Sequence, residues 1–553
     1  MYRSQTATIS RDAGLRDWQR QALDAMAEWD SGAFLMSAAP GAGKTRPALE
    51  HARHELERRA CDGVVIACPT APLTRQWARA AHALGLDLVP DADSPRPPAG
   101  FHGVVVTYAR IAQSPARWAA GTRERTLVVA DEAHHLGEEL TWGESFARAF
   151  AQASRWLLLS GTPFRSDATA IPGVSYDSDG VAEPDISYTY ADAVGDGVCR
   201  PVVFVTYDGQ LSWRSGDDVI ESSFETVLST REASRRYRTA ISTELPDGLP
   251  RILREAHAKL CALRAGGPAA GGAAPHPDAG GLVIAADSAH ARRIAQLLRE
   301  VTGEPPVVVL HAEARAAQKL AEFTSSAAPW IVAVNMVSEG VDIPRLRVGV
   351  YATASKTAMI FRQIVGRFVR TIPGRAPEPS WLYVPADPVL RDHAGNVREE
   401  LRYLRRPSGD GEPDALDEPR ERRATEPTEA LDFVPLSADV APQMTLFGPP
   451  DPAPPVVPTL PAAPLPPVPV PPPTPVAEPA REASVPAFER RARLRKERHR
   501  LVSDLARRER RTHQDVNSQV NRELGITSVD KATLEQLESA IALLERRLSP
   551  RRR

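Results

Sequence analysis

Apolar residues gather in short continuous runs that are separated by longer stretches with helical spacing. One set of runs lies between residues 33 and 160, and a second set lies between residues 281 and 351. Continuous runs, unlike alternating ones, are typical of strands buried on both faces of a parallel sheet. Two such sets predict an α/β chain with two doubly wound parallel-sheet domains. The runs are Ala33–Met36, Val64–Ala67, Val104–Val106, Leu127–Ala130 and Trp156–Leu159, then Gly281–Ile284, Val307–Leu310, Ile331–Val334 and Val348–Tyr351.

The pattern changes after residue 405, and this change sets the predicted domain boundaries. We assign residues 1–193 and 194–405 to the two α/β domains. Residues 406–484 are first charged and poor in aliphatic side chains, and then hold 16 prolines among the 31 residues from 449 to 479. Such a composition cannot build a packed core and predicts a disordered, Pro-rich linker. Helical signals return in residues 485–553, which we expect to form a small basic C-terminal helical module.

Charge and cysteine content narrow the protein class. The chain has 68 Lys and Arg residues against 70 Asp and Glu residues, for a formal net charge of −2. Any nucleic-acid surface must therefore be local rather than a property of the whole chain. The four cysteines show no CxxC pair and no zinc-ligand spacing, which predicts reduced thiols in a cytoplasmic protein. No apolar segment has the length of a signal peptide or a transmembrane helix, so we expect no membrane association.

A glycine-rich loop follows the first apolar run and precedes a helical stretch. This is the strand–loop–helix context of a phosphate-binding loop. Its glycines would let backbone N–H groups approach phosphate at the positive end of the helix. Lys44 would contact the β- and γ-phosphates of ATP, and the Thr45 hydroxyl would bind Mg²⁺. The predicted nucleotide-binding residues of this loop are Gly41, Ala42, Gly43, Lys44 and Thr45.

Two carboxylates end the fourth run, in the sequence Asp131-Glu132-Ala133-His134. Parallel α/β sheets bind their ligands at the carboxyl ends of the strands. We expect Asp131 to hold Mg²⁺ and Glu132 to orient and deprotonate the attacking water.

These two elements resemble motifs I and II of the DEAH-type superfamily 2 helicases, and further segments resemble the remaining motifs in the same order. The resemblance covers roughly residues 10–390 and is nearest the bacterial branch of XPB-like, UvsW-like and restriction-translocase motors. It implies that both α/β domains are RecA-like. The matching segments are Leu15–Gln19 (Q-motif), Pro69–Leu73 with Gln76–Trp77 (Ia), Val106–Tyr108 (Ib), Ser160–Arg165 (III), Ser338–Pro344 (V) and Gln363–Arg370 (VI).

The resemblance also implies roles for individual residues. Arg16 and Gln19 would serve the nucleotide, with the glutamine on adenine. His134, Ser160 and Thr162 would couple the nucleotide state to domain movement. In the second domain, Gly340 and Asp342 of motif V would belong to the nucleotide site, and Gln363, Arg367 and Arg370 of motif VI to the catalytic set.

Motif VI also has a physical rationale. Arginine keeps its charge and suits the charge that develops on a transferred phosphoryl group. An arginine supplied from a separate element typically contributes about 10³–10⁵ in rate. Supplying Arg367 and Arg370 from a second domain would make hydrolysis depend on closure of the cleft, which converts ATP chemistry into motion.

A short peptide in the predicted linker points to a partner. Gln443-Met444-Thr445-Leu446-Phe447 resembles the bacterial sliding-clamp-binding peptide, which has a Gln, two variable positions and then Leu-Phe. Leu446 and Phe447 would each gain roughly 1.5–3 kcal/mol in an apolar pocket. A chance occurrence and a clamp-binding role both stay open.

The basic C-terminal segment and the function leave alternatives as well. Residues 488–514 carry 11 Lys and Arg and 4 Asp and Glu residues, which fits either a phosphate-binding helix or a solvated, salt-bridged helix.

We expect the protein to be an ATP-dependent helicase or translocase that acts on single-stranded or forked DNA in repair, replication, recombination or phage defence. The alternatives are an RNA helicase, the motor subunit of a restriction system, and a non-catalytic adaptor that is recruited by the clamp.

Overall fold

A computed structural model describes residues 14–138, 140–161, 170–177, 182–215, 218–267, 274–310, 313, 315–334, 343–372, 374–375, 378–402, 433–442, 485–530 and 532–549. The chain divides into two compact units. The first comprises Met1–Ser37, Gly43–Ser187 and Pro454–Arg553, and the second comprises Ala38–Ala42 and Tyr188–Ala453.

The first unit is built on a seven-stranded sheet with the order β3-β4-β2-β5-β6-β1-β7. The pairs from β3 to β1 are parallel. Its strands are β1 (Gly32–Ala38), β2 (Gly63–Cys68), β3 (Leu88–Val89), β4 (Gly103–Thr107), β5 (Thr126–Asp131), β6 (Arg155–Ser160) and β7 (Ile186–Tyr188). Its helices are α1 (Asp17–Ala27), α2 (Thr45–Glu57), α3 (Ala71–Ala83), α4 (Tyr108–Gln113), α5 (Pro115–Gly121), α6 (His135–Glu138) and α7 (Leu140–Phe150).

The apolar runs form the centre of this sheet because both of its faces are covered. Val65, Val128 and Leu158 of three neighbouring strands are fully buried. On one side they join a cluster that includes the aromatic rings of Trp118 and Phe150. The runs at 33–36, 64–67, 104–106, 127–130 and 156–159 are therefore strands, as predicted.

The second unit repeats the architecture. Its parallel strands have the order β11-β12-β10-β13-β14-β8. The strands are β8 (Val202–Ser215), β9 (Asp218–Ser222), β10 (Gly280–Ala285), β11 (Val307–Val309), β12 (Trp330–Val334), β13 (Leu346–Ala352), β14 (Ser380–Pro385) and β15 (Phe433–Pro442). The helices are α8 (Tyr190–Gly195), α9 (Thr230–Ala240), α10 (Leu249–Ala265), α11 (Ser288–Thr302), α12 (Ala316–Ser325), α13 (Ala358–Phe368) and α14 (Pro388–Arg402). The four predicted strands of this domain are confirmed, whereas β8, β9, β14 and β15 were not predicted.

The prediction of a disordered linker from 406 to 484 is wrong for residues 433–442. These residues form β15, which pairs antiparallel with β8 from Phe433 opposite Ser215 to Pro442 opposite Tyr207. Ala438 and Val440 are buried, which repays the ordering of the strand. Its prolines are compatible with an edge strand, where one row of N–H groups has no partner strand to serve. The remainder of the predicted linker lies outside the described residues.

The C-terminal module is helical, as expected, and the part of it that the structure describes contains three helices. They are α15 (Ala487–Glu509), α16 (His513–Glu523) and α17 (Leu534–Leu548). The basic segment breaks at Arg510, whose φ of 54° is left-handed, and α16 then begins at Thr512, whose hydroxyl accepts the N–H of Asp515. A capping box between Thr533 and Gln536 begins α17.

Candidate active site

The order of the seven-stranded sheet brings three segments that follow its strands to one edge. Strand β6 lies between β5 and β1, so the carboxyl ends of these three strands are neighbours. The glycine-rich loop follows β1, Asp131 and Glu132 lie at the end of β5, and Ser160 ends β6. Residues far apart in the sequence therefore meet at the edge where parallel α/β sheets bind ligands.

The glycine-rich loop needs its glycines for conformation as well as for space. Gly41 and Gly43 have φ angles of 86° and 92°, which side chains rarely adopt. A Cβ on Gly43 would also lie 3.0 Å from the Gln19 amide nitrogen and 3.3 Å from the Arg16 guanidinium. The loop then leads into α2, which begins at Thr45.

Gln19 connects helix α1 to this loop. Its Nε2 donates to the Gly43 carbonyl at 3.1 Å, and its Oε1 accepts the N–H of Arg16 at 3.0 Å. This places both predicted Q-motif residues beside the phosphate loop. The contact with adenine remains a prediction.

Lys44 and Glu132 form the central ion pair of the site. Lys44 Nζ lies 3.4 Å from Glu132 Oε1. Glu132 has a φ of 51°, and such a left-handed conformation in a non-glycine residue is characteristic of functional sites. The backbone turns sharply there, and the turn brings the carboxylate to the phosphate-loop lysine.

Two aromatic residues hold Asp131, and sequence reasoning did not assign them this role. The Trp77 indole N–H donates to Asp131 Oδ2 at 2.7 Å, and the Tyr108 hydroxyl donates to the Asp131 carbonyl at 2.7 Å. Both aromatics occur in segments that resemble motifs Ia and Ib. Their spacing from Asp131 gave no signal, because the contacts depend on the pairing of β2, β4 and β5.

The two adjacent carboxyl groups have opposite electrostatic settings. Burial and the neighbouring Glu132 charge raise the pKa of Asp131, and Lys44 offsets this only in part. Burial also opposes ionisation of Glu132, but the Lys44 ammonium and the His134 and His135 rings hold its pKa below the usual range. A buried carboxyl group with too little positive charge around it is the kind of group that a divalent cation would suit.

His134 connects the carboxylates to the end of β6. Its Nδ1 lies 3.1 Å from Ser160 Oγ and 3.5 Å from Glu132 Oε2, and both His134 and Ser160 are buried. The structure thus brings these three residues together. Their coupling role remains a prediction, and Thr162 lies outside the described residues.

The motif VI residues belong to the second unit. Gln363 and Arg367 lie one turn apart on α13, whose first turn is capped by the Thr357 hydroxyl. Arg370 follows the helix and forms a β-bridge with Cys199, just before β8. Their catalytic roles remain predictions. Gly340, Asp342 and the clamp-like residues Gln443, Leu446 and Phe447 lie outside the described residues.

Two broader expectations concern cysteines and membranes. All four cysteines lie in the part of the chain that the structure describes, and none of them forms a disulfide. Among the described residues, no helix combines the length and the hydropathy that crossing a membrane requires.

Known proteins resemble the chain in sequence and in fold. The family model of the type III restriction enzyme res subunit matches residues 12–165. The uncharacterized protein Rv2917 of Mycobacterium tuberculosis is 41% identical over 445 residues, which cover 78% of this chain and 72% of that protein.

Two solved structures show similar folds at low identity. The ATP-dependent type ISP restriction-modification enzyme LlaBIII bound to DNA is 16% identical with a TM-score of 0.47, over 70% of this chain and 30% of that enzyme. S. cerevisiae Dbp5 bound to RNA and ADP BeF3 is 12% identical with a TM-score of 0.41, over 70% of this chain and 92% of Dbp5. This chain thus spans less than a third of the length of LlaBIII.

The chain belongs to the same family as Rv2917 of Mycobacterium tuberculosis.

Proposed function

We propose that the protein is an ATP hydrolase that moves along or separates DNA. The observation that carries this proposal is the meeting of Lys44, Asp131 and Glu132 at the carboxyl ends of neighbouring strands, with Lys44 Nζ 3.4 Å from Glu132 Oε1. A lysine in a phosphate loop beside two carboxylates is the arrangement that phosphoryl transfer to water requires.

Each group has a distinct part in the proposed reaction. Lys44 binds the β- and γ-phosphates, and Glu132 orients the attacking water and accepts its proton. The Lys44 ammonium keeps the Glu132 carboxylate ionised at neutral pH, and an ionised carboxylate is able to accept the proton. Asp131 and the Thr45 hydroxyl would hold Mg²⁺, which neutralises phosphate charge when bound. Arg367 and Arg370 would stabilise the transferred phosphoryl group.

DNA is the proposed substrate. The matching family model is that of a restriction-enzyme subunit, and restriction enzymes act on DNA. The clamp-like peptide supports the same choice, because sliding clamps encircle DNA.

The test is ATP hydrolysis in the presence of single-stranded DNA, duplex DNA, forked DNA or RNA. We expect stimulation by at least one DNA and little by RNA. Glu132→Gln should keep ATP binding and lower turnover by about 10²–10⁴-fold, because the general base alone is removed. Normal turnover of Glu132→Gln would show that another group is the base, and stimulation by RNA alone would identify an RNA helicase.

A restriction motor is the second candidate, and the match of residues 12–165 to the res subunit favours it. In that case the protein would translocate on duplex DNA and require a nuclease for cleavage. Duplex translocation is measured by displacement of a triplex-forming strand. Displacement without separation of forked strands would favour this candidate over a helicase.

We also propose that residues 442–448 bind a bacterial sliding clamp through Gln443, Leu446 and Phe447. The described strand β15 ends at Pro442, directly before this peptide. Calorimetry with the purified clamp and the peptide should show modest affinity, since few anchors are present. Leu446→Ala/Phe447→Ala should remove the binding and leave ATP hydrolysis unchanged.

A further inference from the structure

The outward face of helix α15 carries three basic side chains in a row. Arg493, Lys496 and Arg500 are all exposed and lie at positions i, i+3 and i+7, so they share one side of the helix. The opposite side packs Val502 and Leu505 into the core of the C-terminal module. We call these three residues the α15 stripe.

The other basic residues of α15 have structural partners. Arg498 is buried and donates to the side chains of Asn517 at 2.6 Å and Asn521 at 2.7 Å. The remaining contacts are Arg490 with Glu538, Arg491 with the Asp530 and Ala532 carbonyls, Arg495 with Asp530, and Arg507 with Asp504. Arg508 also donates to the carbonyls of Arg547 and Leu548. Apart from the Arg507–Asp504 pair, which lies within α15, these contacts join α15 to the rest of the module.

The stripe lacks such partners among the described residues. Within the part of the chain that the structure describes, no carboxylate forms an ion pair with Arg493, Lys496 or Arg500. Glu497 flanks the stripe on the same helix without pairing with it. The α15 stripe therefore presents three cations to solvent.

The stripe starts one turn from a contact with the ATP-binding α/β fold. Glu489, four residues before Arg493, forms an ion pair with Arg79 of α3 at 2.9 Å. The Arg491 guanidinium lies 5.8 Å from the centre of the Phe101 ring. Both contacts are within the first unit. A ligand on the stripe would thus be held by the same unit that contains Lys44, Asp131 and Glu132.

We infer that the α15 stripe binds the phosphodiester backbone of the nucleic acid on which the protein acts. The inference rests on the proposed function and adds a second contact outside the helicase motifs. Seven residues of helix span roughly 10 Å, so the three cations form a line that matches a linear polyanion. Arginine donates to phosphate in a bidentate manner, and such contacts carry affinity without reading the base sequence.

The experiment compares the full-length protein with Arg493→Gln/Lys496→Gln/Arg500→Gln. Binding of fluorescent single-stranded DNA, duplex DNA and RNA is measured by anisotropy without nucleotide, over a series of salt concentrations. Each lost phosphate contact should lower the slope of log K against log salt by about 0.7–0.9, so the triple change should remove about 2–3. Glutamine is a good helix former, and circular dichroism should confirm that α15 persists.

A matched control removes the same charge elsewhere. Arg117, Arg123 and Arg299 are exposed and lie outside the C-terminal module. Arg117→Gln/Arg123→Gln/Arg299→Gln should leave the salt slope within about 0.3 of the wild-type value, since no phosphate contact is lost. Glu497→Gln should bind nucleic acid at least as tightly as the wild type. Basal ATP hydrolysis should be equal in all of these variants.

The outcomes separate the inference from the proposed function. An unchanged salt slope in the stripe variant, with normal binding by the wild type, would overturn the inference alone. Equal loss of slope in the stripe and control variants would also overturn it, since net charge would then be the cause. Preference for a poly-glutamate peptide over DNA and RNA would assign the stripe to an acidic protein. If the wild type neither binds DNA nor is stimulated by it, the proposed function fails as well.

Discussion

The two α/β units share a parallel-sheet architecture, and the candidate catalytic charges at the carboxyl ends of the first can be compared with the most deeply buried arginines of the second, which lie at the amino ends. In the first unit, Lys44, Asp131 and Glu132 meet at the carboxyl ends of β1 and β5. In the second unit, Arg200 and Arg347 lie at the amino ends of β8 and β13. Both arginines are almost completely buried.

The two buried arginines of the second unit form hydrogen bonds with groups of the protein itself. Arg347 donates to the Glu378 carboxylate at 3.0 Å, to His276 Nδ1 at 3.0 Å and twice to the Pro379 carbonyl. Arg200 donates to the Pro344 carbonyl at 3.2 Å. These contacts fix the loops that enter the strands. Buried charge alone therefore does not mark an active site in this fold.

The largest expected effect concerns the part of the second unit that would act in catalysis. Arg367→Ala and Arg370→Ala should each lower ATP turnover by about 10³–10⁵-fold while nucleotide binding stays nearly intact. The reason is that each arginine charge would stabilise the phosphoryl group during its transfer and would contribute little to binding the nucleotide. Single-turnover kinetics and binding of a fluorescent nucleotide measure the two quantities. Full turnover in both variants would confine catalysis to the first unit.

A smaller effect is expected on stability from the arginine cluster. Arg347→Ala should lower the free energy of unfolding by roughly 2–4 kcal/mol, since it leaves the Pro379 carbonyl and His276 Nδ1 without their donor, whereas Glu378 keeps its ion pair with Arg375. Urea unfolding measures this change, with the exposed Arg299→Ala as the control. Loss of ATP hydrolysis in fully folded Arg347→Ala protein would contradict the structural role.

His276 gives the same cluster a pH dependence. Burial, with Arg375 and Arg347 nearby, lowers the pKa of His276 from 6.5 to about 4. The unfolded chain therefore binds the proton more tightly, and stability is full above about pH 6.5 and is lost as the pH falls towards 4, by roughly 3 kcal/mol at most. The free energy of unfolding, measured between pH 7.5 and 4.5, should depend less on pH in His276→Gln than in the wild type. Equal pH slopes in both proteins would show that His276 does not carry this dependence.

The smallest effect belongs to the support of Asp131 in the first unit. Trp77→Phe removes the indole N–H that donates to Asp131 Oδ2 at 2.7 Å and keeps most of the apolar volume. Partners of a metal-binding carboxylate typically contribute about 10–100-fold in metal affinity, and we expect about tenfold here. Titration of ATP hydrolysis with Mg²⁺ measures it. Unchanged Mg²⁺ dependence would mean that Trp77 only packs against the sheet.

Most of the sheet framework was predictable because local sequence carries it. Runs such as Leu127–Ala130 can satisfy their backbone and bury both faces only in a covered parallel strand, so they predicted their own structure. Edge strands were harder to predict from the sequence. Strand β15 alternates exposed and buried residues among prolines and is stabilised by pairing with β8. The break at Arg510 was also missed, because a left-handed arginine has no local signature comparable to glycine.

The sequence by itself determined which residues are candidates for the chemistry. The phosphate loop with Lys44 and the Asp131-Glu132 pair are local patterns, since each needs only a strand followed by a turn or helix. Tertiary structure alone decided that β6 lies between β5 and β1, which brings Ser160 to His134, and that Trp77 and Tyr108 hold Asp131. It also decided which arginines of α15 bind other groups of the C-terminal module and which face solvent. The physical reason is that strand order and helix packing depend on the burial of surfaces distant in sequence, which no short segment encodes.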